Sequence, residues 1–302
     1  IQREQIKKVV YNDINTGVVE LLKDIRDNGV TDKYYQWVSR ETFHKHKNDK
    51  DWFGGLCQVV WSFGNNQSDY LFGQDLEDNK RLAHLIVVNK DQEALSQLSK
   101  ILNIEIPVSV FDKEGIQERR LDFIQVIVSN KKRFDLQQLE RLQQLERLQQ
   151  LQHLQQLERL QQLEQLQQLD ISNLSYENVE ISTPMEETII YLDPPYKLTA
   201  TYQQKLNHNS LNEYIEKSPY KIYLSSYDCD LKCIAEYEHR TTLSVGRNDK
   251  VIERLYIKQP NDGYNYYLPN VSKKDDNKVN KKANIRQKQR CACGGVIVKT
   301  SS

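Results

Sequence analysis

The stretch that most constrains this chain is Thr188-Ile189-Ile190-Tyr191-Leu192 followed at once by Asp193-Pro194-Pro195-Tyr196. The apolar run reads as a buried strand of a parallel sheet. An acidic residue at the carboxyl end of such a strand lies where open α/β sheets place their ligands. The two prolines donate no hydrogen bonds and have fixed φ angles, so the turn is stiff. The Asp193 carboxylate and the Pro194 carbonyl remain as acceptors, with the Tyr196 ring as a flat wall beside them. Two acceptors and a stacking surface suit an exocyclic amino group on a planar base.

Near the start, Val9 to Ile14 is a predicted strand that ends in Asn12-Asp13. Val18, Leu21, Leu22 and Ile25 then recur at the spacing of an amphipathic helix running to Arg26. A strand, an acidic residue and a helix make half of a nucleotide-binding βαβ unit, whose acidic residue typically accepts hydrogen bonds from ribose hydroxyls. Helix capping is the alternative role, and Asn15 is an equally good candidate for it. Further on, Lys221 to Ser225 is a short strand ending in Ser225-Ser226-Tyr227-Asp228, with its loop expected beside Asp193. Leu255-Tyr256-Ile257 reads as a final strand.

The Asp-Pro-Pro-Tyr constellation resembles the catalytic signature of amino-methylating DNA methyltransferases that use S-adenosylmethionine. Its flanks resemble Dam-type adenine-N6 methyltransferases, in particular phage and prophage relatives, from about Lys7 to Lys258. Tyr176-Glu177-Asn178-Val179-Glu180-Ile181, Thr199-Ala200-Thr201-Tyr202, Ile222-Tyr223-Leu224-Ser225-Ser226-Tyr227 and Val251-Ile252-Glu253-Arg254-Leu255 follow that subfamily's order. The resemblance implies an α/β fold: a Rossmann-like methyltransferase sheet with an inserted DNA-recognition region. It implies catalysis by Asp193, Pro194, Pro195 and Tyr196, acting on an adenine flipped out of double-stranded DNA. It also implies S-adenosylmethionine binding by Asp13, Ile14, Ser175, Tyr176 and Asp193.

Two departures from the family pattern stand out. Relatives carry a glycine-rich loop one strand before the acidic residue matched by Asp13, and nothing before Asp13 supplies it. Gly54-Gly55, after Trp52-Phe53, lies on the wrong side. The expectation is therefore an N-terminally truncated enzyme whose seven-stranded sheet lacks its first strand. Relatives also carry an acidic residue where Ser175 stands, and a hydroxyl is a weaker acceptor than a carboxylate. Cytosine-N4 methylation, or a catalytically impaired DNA-binding fragment, are the alternatives. Asp193 argues against glutamine methylation, which usually has asparagine at that position.

The domains expected are a partial cofactor-binding half at 1–30, a target-recognition region at 31–134 and a leucine-repeat insertion at 135–170. A catalytic core at 171–260 and a basic, disordered tail at 261–302 follow. In the recognition region Asn65 and Asn66 are candidates to read adenine, with Lys131, Lys132 and Arg133 on phosphates. A simple turn at Asn65-Asn66 is the alternative. From Leu136 to Leu169 a leucine recurs every third residue. On a helix such a stripe drifts by roughly 60° per step, so it suits a helix leaning on several neighbours or a solenoid, and not a coiled coil.

Charge is balanced, with 42 basic and 42 acidic side chains, but the last thirty residues are basic. Few apolar residues there point to disorder, with loose phosphate contact as one use of the charge. Cys57, Cys229, Cys233, Cys291 and Cys293 complete no four-ligand metal site and no disulfide framework, so no metal is expected. The sequence has no signal peptide and no long apolar span, which makes the cytoplasm of a bacterial or phage-infected cell the expected compartment.

Overall fold

Seven strands form one sheet in a computed structural model that describes residues 6–131, 151–161, 169–195, 206–240, 250–260 and 296–301. They are β1 (Ile6–Asn12), β2 (Leu169–Ser172), β3 (Thr188–Leu192), β4 (Lys221–Ser226), β5 (Lys232–Arg240), β6 (Lys250–Lys258) and β7 (Val296–Ser301). The fold is mixed α/β, and the chain divides into two units. Residues 1–15 and 168–302 make a sheet unit, and residues 16–167 make a helical unit. The half expected over 1–30 is thus divided between them.

In the sheet the order is β2-β1-β7-β3-β4-β6-β5. β1 pairs in parallel with β2, and β3 in parallel with β4. β6 runs antiparallel to both β4 and β5. β7 runs antiparallel between β1 and β3 and joins them. This corrects the expectation of a tail disordered to its end. Val296-Ile297-Val298 is a β-branched run that suits a pleated strand. The facing edges of β1 and β3 carry backbone groups that need partners, and β7 supplies them.

The apolar run of β3 predicts a buried strand, and β3 is buried more on one face than the other: Thr188, Ile190 and Leu192 are buried, Ile189 and Tyr191 half-buried. Ile190 and Leu192 share a core with Ile222, Leu224 and Tyr256. Over that face lie Leu211 and Ile215 of helix α8 (His208–Lys217), whose N-terminus is capped by the Asn207 side chain. Register shows which residues share each face: Ile190 is level with Ile222, and Tyr191 with Tyr223.

The helical unit contains α1 (Thr16–Asn28), α2 (Arg40–His46), α3 (Trp52–Val60), α4 (Gln74–His84), α5 (Gln92–Leu102), α6 (Ile116–Lys131) and α7 (Gln152–Gln161). α1 buries Val18, Leu21 and Ile25, three of the four positions that the helical spacing marks. It packs on α3 at a point where no side chain fits. A Cβ on Gly55 would lie 2.0 Å from the Gly17 carbonyl oxygen, and one on Gly54 would lie 2.1 Å from the Asp49 carbonyl oxygen. Gly55 is therefore a helix-crossing position, and Gly54 admits the Asp49 backbone just before α3.

α7 is the described part of the leucine repeat. Leu151, Leu154, Leu157 and Leu160 are all buried, as is His153. Three steps of the drifting stripe sweep roughly 180° of the helix surface. α7 is thus covered over about half its circumference, as a helix resting on several neighbours. Arg120 of α6 grips Glu158 with two hydrogen bonds of 2.8 and 3.1 Å, and Gln161 donates to the Tyr35 hydroxyl at 2.6 Å. No described helix is long and apolar enough to cross a membrane.

Candidate active site

Strand direction decides where the site lies. β1, β2, β3 and β4 all run the same way, so their carboxyl ends share one edge of the sheet. Asp193 follows the last residue of β3, and Asp13 follows the last residue of β1. Val296 of β7 is level with both Asn12 and Leu192, which puts Asp13 and Asp193 at one level. Tyr11 and Tyr191 are likewise both level with Ile297 and share a face. Asp13 and Asp193, each two residues on, continue that face. One strand separates them, a span of about 10 Å from twice the inter-strand spacing. Leu192 is level with Leu224, so Ser225 stands beside Asp193.

Asp13 is buried and held from two sides. The Tyr11 hydroxyl donates to Oδ2 at 2.9 Å, and the Asn15 backbone N–H donates to Oδ1 at 2.8 Å. Burial pushes its carboxyl up to about 6, partly offset by those hydrogen bonds. The Asn15 bond makes a turn at the strand end, a local role different from the alternative of a helix cap. Ile14, next along, is 52% exposed, an unusual state for an isoleucine at a strand end.

Asn12 ties this edge together, and sequence reading assigned it no role. Its Nδ2 donates to the Leu174 carbonyl at 2.9 Å, while its Oδ1 accepts from the Leu174 N–H at 3.0 Å and the Ser172 hydroxyl at 2.8 Å. Asn173 answers by donating to the Asp13 carbonyl at 2.8 Å. These bonds fix the loop after β2 against the end of β1, which brings Ser175 and Tyr176 to the edge occupied by Asp13 and Ile14. The only local signal was a polar residue closing an apolar strand. Tyr176 is half-buried, packs edge-on to Tyr214 with centroids 5.2 Å apart, and donates to Glu177 at 3.0 Å. Burial and Glu177 push its hydroxyl up to about 12.

Beside Asp193, the buried Ser225 hydroxyl donates to Glu253 Oε1 at 2.8 Å, and Arg254 holds the Tyr227 carbonyl at 2.7 Å. Pro194 and Pro195 are half-buried with Asp193, while Tyr196 and Thr199–Tyr202 lie outside the described residues. An open groove of about 550 Å³ is lined by Val179, Ser210, Tyr214, Lys217, Ser218 and Tyr220 among others. It borders the start of β4, the opposite end of the strand from Asp193, and reaches Glu177 and Tyr214, the two neighbours of Tyr176.

The other candidates belong to the helical unit. Asn66 spends its side chain on its own loop: Oδ1 accepts from the Ser68 and Asp69 N–H groups, and Nδ2 donates to Asp69. Asn65 closes the adjoining 3-10 turn. Lys131 ends α6, and Lys132 and Arg133 lie outside the described residues. Among the described residues no group of three or more His, Cys, Asp or Glu side chains is arranged to hold a metal. No protein-family model matches the chain, and no match was found among curated proteins.

Proposed function

We propose that this chain is an S-adenosylmethionine-dependent DNA methyltransferase acting on adenine N6. The observation that carries the reading is the pair of carboxylates, Asp13 and Asp193, on one face and one level of the edge where the parallel strands end. Open α/β sheets bind nucleotide ligands at that edge. The strand order, with an antiparallel β5–β6 pair flanking β4, supports a Rossmann-like methyltransferase sheet.

The residues fit the nucleoside half of the cofactor. Asp13 is an acceptor for ribose hydroxyls, and the exposed Ile14 with Ser175 and Tyr176 offers an apolar and polar border for the adenine ring. S-adenosylmethionine, when bound, supplies an electrophilic methyl group. Asp193 and the Pro194 carbonyl accept the two hydrogens of N6, which draws the nitrogen out of conjugation and restores its lone pair. The Asp193 carboxylate is also the acceptor for the proton that N6 gives up. Tyr196 stacks on the base once it has left the duplex. Most of the acceleration comes from orientation and from carboxylate charge at the developing ammonium.

Calorimetric titration with S-adenosylmethionine, followed by transfer of labelled methyl groups to DNA, tests this. Asp13→Ala should weaken cofactor binding, and Asp193→Ala should abolish transfer while binding persists. Near-normal transfer by Asp193→Ala would refute the mechanism. One observation favours a second reading, that of an impaired DNA-binding relative. β7 runs antiparallel through the position next to β1 where the family begins its glycine loop. DNA binding without cofactor binding would select that reading.

A further inference from the structure

Two buried histidines of the helical unit face each other. His84 closes α4, and His153 lies in the first turn of α7. His84 Nδ1 and His153 Nε2 are 3.0 Å apart, and the residues are 1% and 0% exposed. His153 stacks on Trp61 with centroids 4.6 Å apart and stands edge-on to Trp37 and Phe72. His84 also hydrogen-bonds the backbone of Tyr35, in the sense that favours a protonated ring nitrogen. With that nitrogen as donor to the carbonyl, a neutral His84 turns a bare acceptor toward His153, and His153 supplies the shared proton. His153 Nδ1 is then a bare acceptor as well, and it is buried with no partner.

Three charged side chains surround the pair: Lys80, Arg120 and Glu158. Lys80 lies one turn before His84 on α4, with Nζ 5.4 Å from the Phe72 centroid. Arg120 reaches in from α6 and is engaged by Glu158 of α7. Both cations act on His153 unfavourably, as does any charge on His84.

We propose that the His84–His153 pair is an acid-operated latch: it docks α7 on the helical unit while both rings are neutral and releases α7 when either is protonated. A proton on His84 Nδ1 sets two donors against each other at 3.0 Å. A proton on His153 Nδ1 leaves a buried imidazolium with no acceptor, beside Lys80 and Arg120. Burial holds His84 down to about 4, and holds His153 well below its ordinary value. The sign follows from proton binding. A released histidine takes up its proton below about pH 6.5, and the docked one does not until about 4. Docking is therefore complete above 6.5 and weakens as pH falls, by a factor of about 160 through His84 alone at pH 4. The leucine anchors do not titrate, and Lys80, which burial holds down to about 7, is already largely charged below pH 6.5, so replacing both histidines isolates their share of the loss.

Hydrogen exchange on the full chain tests the latch, read by mass spectrometry at pH 7.5 and 5.0 and corrected for the intrinsic rate. Residues 151–161 should lose protection reversibly at pH 5.0, at least tenfold more than α5. The double variant His84→Gln with His153→Phe, in which neither position titrates, should abolish that difference. If that variant fails to fold, His84→Gln with His153→Gln serves, since two amides keep a hydrogen bond between the positions without titrating. Unchanged protection of α7, opening of α5 in step with α7, or acid release that persists in the variants would each overturn the proposal.

Discussion

Replacing Gly55 by Ala sets helix propensity against packing, and the crossing of α1 and α3 decides the sign. Inside a helix Ala is about 1 kcal/mol better than Gly. At this position the added Cβ would lie 2.0 Å from the Gly17 carbonyl oxygen, 2.6 Å from its carbon and 2.8 Å from Leu21 Cβ. Ordinary non-bonded contact needs about 3.5 Å. The nearest obstacle is backbone, so no rotamer change relieves it and the helices must part by more than about 1 Å. Parting them loosens helices that carry the buried Val18, Leu21 and Ile25 on α1 and Leu56 and Val60 on α3. Overpacking of this kind costs about 1–3 kcal/mol. With a backbone clash the upper end applies, which leaves a net loss of about 2 kcal/mol after the propensity gain. Trp37, Trp52 and Trp61 are the chain's three tryptophans and all lie in the helical unit, so intrinsic fluorescence reports on that unit. The urea midpoint should fall by about 1 M. Gly17→Ala, with its nearest contacts at 3.1 Å, should cost less. A Gly55→Ala protein more stable than the parent would refute the close approach.

Three other perturbations probe the sheet unit. Asp13 carries a folded value of about 6 against an ordinary 3.8, so its contribution to stability is full below 3.8 and is lost as pH rises through 6. That loss amounts to about 3 kcal/mol, and Asp13→Asn should flatten the stability profile across the window when unfolding is followed by circular dichroism. Asn12→Ala removes three hydrogen bonds to the loop after β2 and should cost about 2–3 kcal/mol, with faster amide exchange at Leu174. Val298→Pro deletes a ladder donor from a central strand and should raise exchange in both β1 and β3, whereas exchange changed in only one of them would contradict the bridging position of β7.

What the sequence discloses follows from the range of the physics. Ile190 and Leu192 are buried within the apolar run that reads as a strand, and Val18, Leu21 and Ile25 where helical spacing puts them, because both patterns are written within a few residues. Asn12 and Leu174 meet across 162 residues, and His84 and His153 across 69, so no local window contains either contact. The glycines of α3 resemble a loop motif until α1 is placed against them. Leucines spaced by three look unable to share a core, yet a helix covered on half its surface accepts all four between 151 and 161. β7 escaped notice because Val296-Ile297-Val298 follows a long basic stretch whose composition dominates any average.

That strand matters for the chemistry as well as for the fold. Among the described strands β7 alone pairs with both β1 and β3, so two antiparallel registers set the relative level of Asp13 and Asp193. A slip of one residue in either register would turn one carboxylate to the other face of the sheet. A slip of two would keep the face and move it along the strand by about 7 Å. Either displacement is large against the tolerance of a site that must align two reacting atoms. Methyl transfer, if Asp193 carries it, is therefore expected to be as sensitive to Val298→Pro as to changes much closer to the site.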